Sequence, residues 1–224
     1  RHIPVYLTAV KKQREVYADR KKLNDSENQK KPNYIVKSAL NMELIWCKPG
    51  NFVMGSPKNE KGRGTDETMH QVILTEGFYL GKYEVTQGQY EKVMGKNPSK
   101  FKGKKLPVET VSWNDAMEFC KRLTGLEKKE GRVPDGWNYV LPTEAQWEYA
   151  CRAGTSTVFS WGGSASSTQA NFDGTQPYGG GATGVKIGQT SNVGQYAANP
   201  WGFFDMHGNV WEWTADWYSA TYPT

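Results

Sequence analysis

The sequence predicts one α+β domain with much irregular structure, and three features predict it. Short apolar runs separated by turn residues indicate short strands in small antiparallel sheets after residue 42. Three segments with helix-start signals indicate short helices between residues 86 and 152. Residues 152–195 show no periodicity and are rich in Gly, Ser, Thr and Asn. A chain of 224 residues is long enough to bury a sizeable core around such elements.

The N-terminal region differs in composition from the rest of the chain. Residues 1–41 are predicted to be a basic N-terminal arm or linker, with a basic helix over 5–23 and a flexible polar stretch over 24–33. The domain itself is predicted to occupy residues 42–224. Because the chain begins at Arg1 rather than Met, removal of an upstream targeting segment is compatible with the sequence. The location is therefore open, and a periplasmic or extracytoplasmic one is slightly favoured over the others.

The strands are predicted from alternating apolar runs and their turns. Residues 42–56 contain two apolar runs around Pro49-Gly50, which predicts strand, turn and strand. A charged, glycine-containing loop over 59–70 follows. Residues 71–74 and 77–85 are further strand candidates.

Two of the helices are predicted from capping boxes. Thr86 and Gln89 stand three apart before a helical run that ends at Met94. Thr143 and Gln146 repeat this spacing and open a helix that extends through Cys151, with Trp147 and Cys151 on one face.

The remaining helix is predicted over residues 115–123, with Ser112 or Asn114 as its N-cap. Its apolar residues recur at the spacing that buries one face of a helix, namely Ala116, Phe119, Cys120 and Leu123.

Charge and hydropathy exclude several classes of protein. The formal net charge is +5, but much of the excess lies in the first forty residues and in residues 96–105, a pattern typical of solvated surface. Nucleic acid is therefore not an expected partner. No apolar run approaches the length of a membrane span, and no signal peptide is visible.

The most unusual stretch is residues 199–217, which contain four tryptophans. Within it, Asn209 and Glu212 stand three apart between indoles, where buried polar groups need partners. With backbone carbonyls of the same turn, these side chains suit calcium, which prefers oxygen ligands. In the alternative interpretation, Asn209 caps backbone groups and Glu212 pairs with a basic residue.

Other chemistry is less well supported. The three histidines lie far apart and no Cys-x-x-Cys spacing exists, which disfavours zinc. The three cysteines are interpreted as buried small side chains or disulfide halves rather than nucleophiles. Asp205, His207 and Glu212 can be drawn as an acid–base set, but closeness in sequence does not establish geometry. Tryptophans of the aromatic stretch suit ligand stacking, although packing in an aromatic core is the more common role of such side chains.

Several motifs occur in an order that resembles one protein family. They are Met54-Gly-Ser56, Tyr83-Glu-Val-Thr-Gln-Gly-Gln-Tyr90, Leu106-Pro-Val-Glu-Thr-Val-Ser-Trp-Asn-Asp-Ala116, Leu141-Pro-Thr-Glu-Ala-Gln-Trp-Glu-Tyr-Ala-Cys-Arg-Ala-Gly154, Ala170-Asn-Phe-Asp173 and Gly208-Asn-Val-Trp-Glu-Trp213. Together they resemble the formylglycine-generating enzyme (sulfatase-modifying factor) family. The resemblance implies a modified C-type-lectin-like fold with bound calcium.

The resemblance also implies two calcium sites. At the first, the side chains of Asn209 and Glu212 and the backbone of Gly208 and Val210 are the implied ligands. The second is implied at Asn171 and Phe172 together with an acid before the next strand. This sequence departs from the family there, because no Asp or Glu occurs between residues 174 and 192, which leaves Asp173 as the only substitute.

The largest departure concerns the catalytic cysteines. Enzymes of the family place a redox cysteine pair, which binds copper, downstream of the Trp-Glu-Trp motif, whereas this sequence ends at Thr224 without one. The domain is therefore expected to be C-terminally incomplete. Cys120 and Cys151 match structural cysteines of the family, whose disulfide partners would lie in that downstream part.

Two functions follow from the resemblance. One is oxidation of a sulfatase cysteine, within a Cys-x-Pro-x-Arg peptide, to formylglycine by copper and O₂, provided that a downstream cysteine pair exists. The alternative is a non-catalytic module that binds a ligand or protein on the same calcium-stabilised scaffold. Trp213 and Trp211 are the residues expected to border the binding face. Two cysteines soon after Thr224 would favour the enzyme.

Overall fold

The computed structural model describes residues 8–11, 36–38 and 40–219. The strands in this part of the chain are β1 Thr8–Lys11, β2 Val36–Lys37, β3 Glu43–Cys47, β4 Gly50–Met54, β5 His70–Leu74, β6 Phe78–Gly81 and β7 Trp137–Val140. The helices are α1 Gln87–Met94, α2 Trp113–Lys129 and α3 Glu144–Arg152. Short helices and short antiparallel sheets confirm the predicted α+β class.

The strands form two separate antiparallel sheets. Five of them lie in the order β2-β3-β6-β1-β7, and β4 pairs only with β5. The predicted strands on either side of Pro49 therefore exist, but they belong to different sheets. In β3, Leu44 and Ile45 are both buried although they point to opposite faces, which suits the interior of a covered sheet. In β4, partly buried and exposed residues alternate instead, as expected for a surface hairpin.

The N-terminal residues of the described part correct one prediction. Residues 8–11 form a strand between β6 and β7, in place of the basic helix predicted over 5–23. This position offers backbone hydrogen-bond partners on both edges of the strand, which outweighs a weak local preference for helix. The rest of that range, and residues 24–33, lie outside the described residues. Both β1 and β2 come from before the boundary predicted at residue 41.

The helix starts agree with the capping signals. Thr86 accepts a hydrogen bond from the backbone of Gln89, whose side chain accepts one from the backbone of Thr86, and Thr143 and Gln146 do the same. Helix α2 has Ser112 as its N-cap and continues to Lys129, beyond its predicted end.

The core consists of two clusters. The first joins α1, α2 and β7, with Tyr90 stacked on Phe119 at a centroid distance of 5.3 Å. The apolar face that the sequence predicted for α2 is buried in this cluster, which confirms the prediction. The second packs α3 against β3 and β6, and it includes Phe203 and Met206 from the aromatic stretch. That stretch is therefore fixed to the main sheet at one end.

Residues 153–195 contain no helix or strand, as the lack of periodicity over 152–195 predicted, and residues 196–219, which are also described, contain none either. Isolated bridges hold this part together, including Ala165 with Tyr178 and Asp173 with Lys186. The chain segments approach closely at Gly181, where an added Cβ would lie 2.1 Å from the backbone oxygen of Ala165. Only glycine fits such an approach.

Candidate functional site

Asn209 lies at the centre of a polar network that joins three parts of the chain. Its Oδ1 accepts hydrogen bonds from the backbone N–H of Ser191 at 2.9 Å and from Asn171 Nδ2 at 3.1 Å. Its Nδ2 donates to Glu84 Oε1 at 3.1 Å. The residue has a positive φ of 68°, a conformation that Asn tolerates better than most side chains. Because these contacts already engage its amide, its role as a calcium ligand stays a prediction.

Glu84 is the partner that sequence reasoning missed. It follows β6 and is 1% exposed. Burial raises the pKa of its carboxyl well above the usual range, and the charges of Asp205 and Glu212 raise it further. The hydrogen bond from Asn209 acts in the opposite direction. Glu84 lies in the family motif of residues 83–90, but the motif does not indicate its partners, because they come from residues far away in the sequence.

Asp205 and Glu212 complete a group of mutually repelling carboxylates. Asp205 Oδ2 accepts a hydrogen bond from the backbone of Gly194 at 2.6 Å, whereas its buried Oδ1 has no hydrogen-bond partner among the described residues. Burial raises the pKa of Asp205 to about 6. Glu212 accepts a hydrogen bond from Trp147 Nε1, and burial raises the pKa of its carboxyl well above the usual range.

These carboxylates lack a counter-charge among the described residues, which is the feature that a bound cation would explain. Within the described part of the chain, none of the ion pairs includes Glu84, Asp205 or Glu212. A buried acid whose oxygen lacks a partner is costly, and a cation supplies the missing compensation. Side chains alone do not complete the site, because the described residues contain no group of three His, Cys, Asp or Glu that could hold a metal. Carbonyl oxygens of the same turn, at Gly208 and Val210, would be needed.

The second predicted calcium position has a different arrangement. Asn171 Nδ2 donates to the backbone oxygen of Gln189 at 2.9 Å. Asp173 pairs with Lys186 Nζ at 2.7 Å, and this hydrogen bond lowers the pKa of the Asp173 carboxyl. Phe172 lines a cleft of about 230 Å³ beside this pair. Asp173 therefore has a lysine as its partner in this structure, and the calcium site at Asn171 and Phe172 stays a prediction.

The three cysteines are free thiols within the described residues, and all are buried. Burial raises the pKa of Cys120 to about 12 and raises that of Cys47 and Cys151 as well. The Cys151 thiol donates to the backbone oxygen of Met206 at 3.4 Å. These thiols therefore stay protonated at neutral pH, and the predicted disulfides of Cys120 and Cys151 stay predictions.

His207 lies beside Cys151 and is held as a neutral imidazole. Its ring meets those of Phe159 and Trp161 edge-on, and its Nε2 accepts a hydrogen bond from the backbone N–H of Ser160 at 3.1 Å. Burial, and to a smaller degree the charge of Arg152, lowers the pKa of His207 to about 4. Protonation of Nε2 would break the bond from Ser160.

The depressed pKa of His207 predicts a loss of stability in acid. The unfolded chain binds a proton at this residue near pH 6.5, whereas the folded protein binds it only near pH 4. The unfolded state therefore holds more protons at this residue between these values, and His207 contributes a loss of stability of up to about 3 kcal/mol as the pH is lowered through this window. Asp205 contributes in the opposite direction, because its carboxyl binds a proton near pH 6 in the folded protein and only near pH 3.8 in the unfolded chain.

Chemical denaturation at several pH values, with chelator present, measures this loss. His207→Gln keeps a hydrogen-bond acceptor but does not titrate, so the variant should lose less stability than the wild type between pH 6.5 and 4. Equal losses in the two proteins would contradict the assignment to His207.

Residues 211–218, the aromatic segment, are anchored to the domain by hydrogen bonds at residues 213–215. Trp213 packs on the first core cluster, and its Nε1 donates to the backbone oxygen of Val111 at 3.1 Å. Ala215 N–H donates to the backbone oxygen of Pro142 at 2.8 Å. Trp113 Nε1 donates to the backbone oxygen of Thr214 at 2.9 Å. The backbone of the segment is therefore fixed.

The same segment exposes large aromatic side chains. Trp211 is 77% exposed, Trp217 is 89% exposed and Tyr218 is 81% exposed. The structure thus separates the two tryptophans predicted to border a binding face, since Trp211 faces solvent and Trp213 is partly buried in the core. A fixed backbone that presents aromatic rings to water is typical of an interaction site.

The sequence of this chain is similar to those of a protein named as a chaperone and of a formylglycine-generating enzyme. The chain is 37% identical over 216 residues to "Chaperone protein LppX" of Paenibacillus barcinonensis, an alignment that covers 81% of this chain and 74% of that protein. It is 49% identical over 113 residues to the "Formylglycine-generating enzyme" of Mycobacterium tuberculosis. That alignment covers 48% of this chain and only 32% of the enzyme.

A solved structure and a family model agree with these relatives. The structure of PvdO from Pseudomonas aeruginosa matches with a TM-score of 0.69 and 30% identity, covering 86% of this chain and 78% of that one. Among the described residues, no helix has the length and apolar character needed to cross a membrane. The family model described as "Sulfatase-modifying factor enzyme 1-like domain" matches residues 31–223. The chain therefore belongs to the sulfatase-modifying factor family of formylglycine-generating-enzyme-like domains.

Proposed function

We propose that this domain binds polypeptide chains and that the aromatic segment is its contact surface. The observation that carries the proposal is the exposure of Trp211, Trp217 and Tyr218 on a backbone fixed by Trp213. Rigid aromatic side chains supply a large contact area at little cost in conformational entropy, and they dominate many protein interfaces.

Two further observations support binding over catalysis. One relative that aligns over most of both chains is named as a chaperone protein. All three described cysteines are buried thiols with raised pKa values, so none of them supplies a thiolate at neutral pH. Oxidation of a substrate cysteine would need thiolates from elsewhere.

Calcium is proposed as a structural ion of the same domain. Asn209 and Glu212 would bind it through their side chains, and Gly208 and Val210 through their carbonyls, with the buried carboxylate of Asp205 as a further oxygen donor. The ion would neutralise buried acids and fix the turn from which the aromatic segment extends. An extracytoplasmic location, as favoured from the sequence, suits a site of this kind, since extracellular modules bind calcium at high ambient concentrations.

The second candidate function is formation of formylglycine in a sulfatase. It is favoured by the 49% identity to the enzyme of Mycobacterium tuberculosis over 113 residues. Under this function, copper would be held by a cysteine pair that the described residues do not supply, and the partner would be a Cys-x-Pro-x-Arg peptide. Its chemistry would be oxidation of the cysteine by O₂.

A binding titration tests the first proposal. The probe is a dye-labelled polypeptide that has been reduced and carboxymethylated, and therefore cannot fold. The double variant Trp211→Ala/Trp217→Ala should bind this probe at least tenfold more weakly, since buried aromatic anchors typically contribute about 1–3 kcal/mol each. The matched control is Ile73→Ala/Val185→Ala, which removes apolar side chains that are 70% and 68% exposed elsewhere on the surface.

The control should bind like the wild type. Equal affinity of all three proteins for the probe would contradict the assignment of the binding surface, and absence of binding by the wild type would overturn the function. A second assay follows aldehyde formation on a Cys-x-Pro-x-Arg peptide with copper and O₂. No aldehyde is expected from this chain, and its formation would favour the enzyme instead.

A further inference from the structure

A lysine-rich loop lies outside both the aromatic segment and the carboxylate cluster. Residues 92–105, here named the lysine loop, consist of the last turn of α1 and the loop after it, and they contain six lysines and no acidic residue. Every one of these lysines is exposed, and they are Lys92, Lys96, Lys100, Lys102, Lys104 and Lys105. This loop concentrates more positive charge than the net charge of the whole chain, which is +5.

Buried polar side chains hold the backbone of the lysine loop in place. Gln87, which is 1% exposed, donates to the backbone oxygen of Phe101 at 2.7 Å and accepts from the backbone of Gly103 at 3.1 Å. Glu109, which is fully buried, accepts from the backbone of Phe101 at 2.9 Å. The loop is therefore a fixed platform from which lysines project.

Little negative charge compensates these lysines. Among ion pairs within the described residues, only Lys96 of the six takes part, with Asp115 at 3.4 Å. Lys102 donates to the backbone oxygen of Asn97, and Lys100 lies over the ring of Phe101 at 5.3 Å. A concentrated positive field of this kind attracts acidic partners and orients them during association.

The lysine loop adjoins the aromatic segment at the first turn of α2. Asp115, the partner of Lys96, lies in that turn. Trp113 begins the same helix and stacks on Trp217, with ring centroids 6.3 Å apart and an interplanar angle of 27°. In this first turn, Asp115 therefore contacts a lysine of the lysine loop, and Trp113 contacts an exposed indole of the aromatic segment.

We propose that the lysine loop and the aromatic segment form one surface that selects polypeptide segments with acidic residues next to apolar ones. This inference rests on the proposed function and adds the class of polypeptide. The apolar residues of the bound polypeptide contact Trp211 and Trp217, and the carboxylates of the bound polypeptide contact the lysines. Basic segments are repelled, which distinguishes this surface from one suited to the Arg-containing sulfatase peptide.

Two synthetic peptides test the selection. In the first, Glu residues flank a Leu-Phe pair, and in the second, Gln replaces each Glu. The wild-type protein should bind the acidic peptide roughly tenfold more tightly at low salt, and the difference should shrink as salt is added. The variant Lys100→Ser/Lys102→Ser/Lys104→Ser should lose this preference while it still binds the Gln peptide like the wild type.

The matched control removes the same charge from scattered exposed lysines, as Lys48→Ser/Lys58→Ser/Lys129→Ser. It should keep the preference, because its lysines lie outside the loop. Equal binding of both peptides by the wild type, or equal loss in the two triple variants, would overturn the inference and leave the proposed function standing. Failure of the wild type to bind either peptide or the carboxymethylated probe would overturn both.

Discussion

Replacing Glu212 by Gln is expected to lower the free energy of unfolding by about 3–5 kcal/mol when calcium is present. In the proposed calcium site, the substitution would remove one ligand of the buried ion, and the loss of one partner from a buried charge pair typically costs this much. Without a cation, the opposite is expected, since Glu212, Asp205 and Glu84 repel one another and Gln removes one of these charges. The sign of the effect therefore reports whether an ion binds.

Denaturation of both proteins with calcium and with chelator measures the effect. Chelation should lower the stability of the wild type and leave Glu212→Gln nearly unchanged, since only the wild type gains from the bound ion. Glu76→Gln serves as the control, because this exposed acid lies outside the cluster. A variant that is as stable as the wild type in calcium would show that no ion is held by Glu212.

Replacing Trp213 by Ala is expected to lower the free energy of unfolding by about 2–3 kcal/mol and to weaken polypeptide binding. The indole packs on the first core cluster and donates to the backbone oxygen of Val111, so its removal leaves both a cavity and an unpaired carbonyl. The aromatic segment would then lose its central anchor.

Trp211 supplies the matched control, since it is the same residue type two positions earlier and is 77% exposed. Trp211→Ala should change stability by less than about 0.5 kcal/mol, as is usual at the surface, and should affect binding alone. Chemical denaturation of the two variants gives the comparison. Similar losses of stability would mean that the core position assigned to Trp213 is wrong.

Local signals predicted the local structure well. The capping boxes at Thr86 and Thr143 and the apolar face of α2 depend on residues three or four apart, and both were confirmed. The sheets could not be predicted in this way. Strands β3 and β4 are neighbours in sequence, but β3 pairs with β6 and β4 pairs with β5. This pairing depends on which strand faces are buried by other parts of the domain.

The candidate site shows the same limit. The motif around Asn209 and Glu212 indicated a candidate turn, but the surroundings of this turn depend on distant residues. Glu84 reaches Asn209 across 125 positions of sequence, and Asp205 is notable only because its Oδ1 is buried without a partner. The exposure of Trp211 and the burial of Trp213 likewise depend on where Val111 and α2 lie. The family resemblance implied the scaffold, whereas these contacts became visible only in the three-dimensional structure.

Indole N–H signals in a nuclear magnetic resonance titration test the proposed function most directly. The chain has nine tryptophans, and their signals can be assigned with single Trp→Phe variants. When the carboxymethylated polypeptide is added, the signals of Trp211 and Trp217 should shift. The signal of Trp147, whose Nε1 donates a hydrogen bond to Glu212, should keep its position. Unchanged signals from Trp211 and Trp217 in the presence of saturating polypeptide would contradict the assignment of the aromatic segment as the binding surface.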